Sequence, residues 1–114
     1  MFDGIKSLFA RVTEYFRRDE LKYEAVDEST GKRGSFRFKI VKHYGDYRAY
    51  ILARPPLGGR DGSMHKVHVL TDCGKPYVCV LGAIESRKKM EAVARLWARK
   101  YMRYVATVKL FEEE

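Results

Sequence analysis

Four side chains of metal-ligating type, His65, His68, Cys73 and Cys79, lie close together in the chain. A zinc ion would need them to converge tetrahedrally. His65 and His68 fall three apart in a stretch that reads as a strand, so they point to opposite faces, and no Cys-x-x-Cys pair exists. The spacing argues against a metal. Two cysteines are too few for a disulfide framework, and buried thiols are expected. Acid–base chemistry fares no better: Asp27, Asp46, Asp61 and Asp72 fall in or beside turns, where aspartate serves the backbone. No paired carboxylates, no Ser/His/Asp order and no glycine-flanked nucleophile emerge. The chain reads as a non-enzyme without a cofactor.

The remaining chemistry is charge. The net charge is +8, and residues 86–110 hold eight basic side chains (Arg87, Lys88, Lys89, Arg95, Arg99, Lys100, Arg103, Lys109) against the single acid Glu91. Within them Lys88, Arg95, Arg99 and Arg103 share one side of a helix, opposite Trp97. Like charges four apart destabilise a helix by about 0.2–0.5 kcal/mol per pair. A surface built for stability would interleave Glu, so the row reads as a face for an anionic partner. A basic surface kept for solubility is the plainer alternative.

Two further features carry weaker signals. The segment 54–63 is long for a strand connection and carries Arg54, Arg60, Gly58 and Gly59, but lacks the Lys and Ser/Thr of a phosphate-binding P-loop. Phe36 and Phe38 have the alternate spacing of a base-stacking platform. Core packing explains them more readily.

These residues must be positioned by a small set of elements. Phe2, Ile5, Leu8, Phe9, Val12 and Phe16 recur at helical steps, predicting an amphipathic helix over 3–18 with Asp3 as its N-cap. Alternation then predicts five strands, near 21–27, 35–43, 47–53, 65–71 and 77–82, divided by turn residues. The last, apolar throughout over 77–81, is expected in the sheet interior. Ser86 caps a final helix whose core stripe is Met90, Val93, Trp97, Tyr101, Tyr104 and Val108. Residues 111–114 read as a frayed acidic tail, because carboxylates are unfavourable beside a helix C-terminus.

The 114 residues suit one domain, 46% hydrophobic and 33% charged, with no apolar run long enough to span a bilayer and no leader pattern. The expected fold is α+β: an antiparallel sheet of four or five strands with an N-terminal and a C-terminal helix packed on it. A cytoplasmic location is the default expectation.

The run Gly59-Arg60-Asp61-Gly62-Ser63-Met64-His65-Lys66-Val67-His68-Val69, the stretch 77–82 and the helix start Ser86-Arg87-Lys88-Lys89-Met90 together resemble the second half of a double-stranded RNA-binding domain. The resemblance covers about half the chain. Where that family has its first helix, this sequence has the alternating 35–44. The resemblance implies phosphate contacts for Arg87, Lys88 and Lys89 and a groove contact near Arg60.

Charge and resemblance together predict a non-catalytic protein that binds nucleic acid, duplex rather than single strand, through backbone phosphates contacted by Arg87, Lys88, Lys89, Arg95, Arg99, Arg103 and Arg60. The rival is a small adaptor or inhibitor, of the kind phages and plasmids carry against host defence, whose basic helix docks on an acidic protein surface. Homodimerisation through the first helix or an open sheet edge is compatible with either.

Overall fold

The computed structural model of the chain describes residues 20–109 and 111. The expected helix over 3–18 lies outside them, as do Glu112, Glu113 and Glu114.

Three strands, β1 (Glu20–Val26), β2 (Arg33–His43) and β3 (Asp46–Ala53), form an antiparallel meander. A single turn of helix, α1 (Met64–Val67), precedes a hairpin of β4 (Val69–Asp72) and β5 (Lys75–Val78), and α2 (Arg87–Thr107) follows. The sheet order β1-β2-β3-β5-β4 places β5 inside and leaves β1 and β4 as edges. Both short hairpins turn on a residue followed by glycine, Tyr44-Gly45 and Cys73-Gly74, with positive φ at both positions. That geometry matches the right-handed twist of the flanking strands.

Alternation along the strands divides the sheet into two faces. Ala25, Phe36, Phe38, Ile40, Ala49 and Ile51 point to one face and are buried under Met90, Ala94, Trp97, Ala98, Tyr101, Met102 and Val105 of α2. Trp97 meets the rings of Phe36 and Phe38 edge-on, each with centroids 5.9 Å away. Its indole N–H donates to the Val67 carbonyl at 2.8 Å, so the bulkiest core residue leaves no polar atom unsatisfied. At Gly34 an added Cβ would lie 2.4 Å from Pro55 Cγ and 2.6 Å from Met102 Sδ, so only glycine admits the close approach of loop and helix.

Four expectations are corrected. Residues 65–68 are helix and a left-handed turn rather than strand, because His68 takes φ 51° and starts β4 afresh. The apolar run at 77–81 does belong to an interior strand, but β5 ends at Val78 and Leu81 is fully exposed. Val108 leaves the core stripe: it is the C-cap of α2, at φ 65°, and 54% exposed. That reversal folds the following segment back, so Phe111 is 1% exposed against His68, Trp97 and Tyr104 instead of fraying. No helix among the described residues is long and apolar enough to cross a membrane.

Candidate nucleic-acid interface

The cationic helix begins as expected. Ser86 is extended and its Oγ accepts from the Lys89 amide at 3.1 Å, which replaces one missing helical hydrogen bond. The first turn then carries Arg87, Lys88 and Lys89 and no acid. Cations there oppose the helix dipole, each by a few tenths of a kcal/mol up to about 1. Helix stability does not explain them.

The structure separates the seven residues of the expected site. Lys88 and Lys89 are exposed at the helix start, and Arg99 is exposed with Nη1 3.1 Å from the Tyr23 hydroxyl. Arg95 sits at the margin of the buried arc with its Nη2 4.0 Å from Glu91, a weak i,i+4 contact. Lys88, Arg95 and Arg99 form the open part of the row, and Lys89 lies about 100° round the helix from Lys88. From Lys88 to Arg99 they span about 16 Å along the axis at 1.5 Å per residue.

The other three turn inward. Arg87 is half-buried and donates to the Ile40 carbonyl at 3.0 Å, tying the start of α2 to β2. Arg103 is half-buried, with Nη2 3.5 Å from the Phe111 carbonyl, and helps to hold the returning C-terminal segment. Arg60 donates to the Val105 carbonyl at 3.1 Å and so compensates the electronegative end of α2. In this arrangement the Arg60 guanidinium is turned toward the end of α2.

The long loop is also better tied than its composition suggests. The Tyr101 hydroxyl donates to the Pro55 carbonyl, the Tyr104 hydroxyl donates to the Asp61 carbonyl at 3.0 Å, and the Arg54 guanidinium lies 5.8 Å from the Tyr101 ring centroid. Burial raises the Tyr101 pKa above its ordinary value, so the hydroxyl remains a donor. The loop is a brace between β3 and α2.

Beside the row, Leu96, Arg99, Lys100, Arg103 and Lys109 face the β1–β2 turn across an open groove of about 420 Å³. The turn contributes Asp27 and Glu28. Asp27 is nearly buried and its Oδ2 accepts from Ser29 Oγ (2.8 Å), Thr30 Oγ1 (2.6 Å) and Thr30 N (3.1 Å). These donors, the Thr30 hydroxyl first, hold its carboxyl below the usual range. Its Oδ2 is committed to the turn.

Phe36 and Phe38 are core residues, as their packing reading expects, and lie beneath Trp97. A half-buried aromatic pair that the sequence reading missed stands on the helix-free face, where Tyr50 and Tyr77 are register partners with centroids 5.6 Å apart. The available signal was that Tyr50 alternates with buried Ala49 and Ile51. The cysteines correct another expectation: Cys73 is exposed in its hairpin turn and Cys79 is half-buried. Among the described residues no three His, Cys, Asp or Glu side chains are grouped to hold a metal ion. Compared with known proteins, the chain matches no family model, no curated protein and no solved structure.

Proposed function

We propose that the chain is a non-catalytic nucleic-acid-binding protein that grips duplex phosphates through Lys88, Lys89, Arg95 and Arg99 on the outer face of α2. One observation carries this reading: the first turn and outer face concentrate cations that work against the helix that bears them, with Glu91 the one acid on its surface. Three of these cations in a row on a rigid rod suit a line of phosphates, which sit on duplex DNA at one charge per about 1.7 Å of axis. Such contacts fix register and orientation without reading bases.

The test is binding of duplex RNA, duplex DNA and single strands across a salt series, with wild type and the Lys88→Gln/Arg95→Gln/Arg99→Gln variant. Log affinity for duplex DNA should fall by about 0.9 per phosphate contact for each decade of salt, and the variant should bind more weakly with a shallower slope. The variant leaves out Arg87, Arg103 and Arg60 because their tethers belong to the fold. Wild type that ignores every nucleic acid yet loses a protein partner with the same variant would replace this reading with docking on an acidic surface.

A further inference from the structure

The face of the sheet that α2 leaves bare is not an ordinary solvated surface. Its central outward positions are Val41, Tyr50, Leu52, Leu70 and Tyr77, where a half-exposed antiparallel sheet usually shows polar residues. A depression of about 560 Å³ opens there, lined in part by Lys39, Val41, Tyr50, Leu52 and Lys75. That volume suits a ligand of a few hundred daltons.

The aromatic pair is held in place. Arg48 Nη1 donates to the Tyr50 hydroxyl at 3.2 Å and to Asp72 Oδ2 at 3.0 Å, while its guanidinium lies 4.3 Å over the Tyr77 ring. One side chain therefore orients both tyrosines, and an ordered ring loses less freedom when something stacks on it.

Charge selects the occupant. Of the acids on this face, three are paired with an arginine, Glu20 with Arg37 (2.6 Å), Glu24 with Arg33 (3.6 Å) and Asp72 with Arg48 (3.0 Å), and Asp46 is exposed at the start of β3. Lys22, Lys39 and Lys75 also point outward, and none of them forms an ion pair among the described residues. The surplus on this face is positive. Aromatic rings at the centre with lysines at the rim complement a ligand that is flat in one part and anionic in another.

We infer that the helix-free face, through Tyr50, Tyr77, Lys39 and Lys75, is a second binding site that takes single-stranded nucleic acid, its bases stacking on the tyrosines and its phosphates meeting the lysines. Stacking platforms of this kind accept any base because each has a π-face. The site is independent of the duplex reading: α2 packs on the opposite face of the same sheet, so one duplex cannot cover both.

The experiment uses the full chain and a ten-nucleotide single strand carrying 2-aminopurine, whose fluorescence is quenched by stacking. Wild type should bind it with quenching. Tyr50→Leu/Tyr77→Leu should weaken binding about tenfold or more and abolish the quench, Tyr50→Phe/Tyr77→Phe should restore both, and Lys39→Gln/Lys75→Gln should weaken binding and flatten its salt dependence while keeping the quench. Should the leucine variant fail a thermal melt, the phenylalanine and glutamine variants still decide. Single-strand binding that survives tyrosine replacement, equal displacement by polyglutamate, or a dimer that sequesters these tyrosines overturns the inference. The Lys88→Gln/Arg95→Gln/Arg99→Gln variant separates the two sites. Losing single-strand binding with that variant alone refutes the sheet site, whereas retaining duplex binding with it refutes the α2 reading and leaves the sheet site standing.

Discussion

Two faces of one sheet use the same strands for different ends. On β2 the residues Phe36, Phe38 and Ile40 are buried beneath α2, while their neighbours Arg37, Lys39 and Val41 face away from it. On β3 Ala49 and Ile51 are buried while Tyr50 and Leu52 look outward. A period of two lets each strand write two surfaces at once. The covered face is specified by volume, since close-packed interiors respond to single methylenes. The open face is specified by chemistry, since its side chains keep water on one side and lose little when exchanged. The comparison therefore predicts large stability effects on one side and small ones on the other.

The deepest break is Trp97→Ala. It empties the space above the stacked rings of Phe36 and Phe38 and strips the Val67 carbonyl of its donor, and should cost about 3–5 kcal/mol. Chemical denaturation measures it, and a melting point within a degree or two of wild type would mean that α2 does not pack as described. Next is Gly34→Ala, whose Cβ must displace Pro55 or Met102. Overpacking of this kind costs about 1–3 kcal/mol, and an unchanged urea midpoint would show that the loop and helix yield freely.

Asp27 tests whether a turn at the margin of the covered face contributes. Its folded pKa is depressed, chiefly by the Thr30 hydroxyl, so its contribution is complete above the unfolded value of about 3.9 and is lost as pH falls through the lower folded value. Asp27→Asn should lower stability at neutral pH and flatten the acid limb of the stability curve. Parallel curves for variant and wild type would assign the acid dependence elsewhere.

Val108→Gly works in the opposite direction. A β-branched residue at φ 65° is strained by about 1–3 kcal/mol, more than the roughly 0.4–1 kcal/mol of extra freedom glycine brings to the unfolded chain. The variant should be more stable by about 1 kcal/mol, read as a higher denaturation midpoint, and a fall would mean that the Val108 side chain contributes packing. The smallest effect belongs to the open face: Lys39→Gln/Lys75→Gln should stay within about 0.5 kcal/mol of wild type. A larger loss would show that this face is structural.

The α2 face combines both characters, and Arg87, Lys88, Arg99 and Arg103 show why charge patterns read from sequence are incomplete. All four project from a helix of known phase. Two meet backbone carbonyls, of Ile40 on β2 and of Phe111 beyond the C-cap, while Lys88 and Arg99 stay exposed. Nothing local distinguishes them, since each acceptor lies on an element that only folding brings near.

By itself the sequence determined what depends on neighbours along the chain: the strands β1 to β3 from their period of two, α2 from its period near 3.6, and the Ser86 cap from a hydroxyl within reach of the next turn. Tertiary structure alone decided which strands flank the interior β5, the return of Phe111 onto Trp97, the tethering of Arg60 to Val105, and the Tyr50–Tyr77 pair clasped by Arg48. Each of these joins groups far apart in sequence, and such contacts form only when the burial of a shared core offsets the entropy of closing the chain between them.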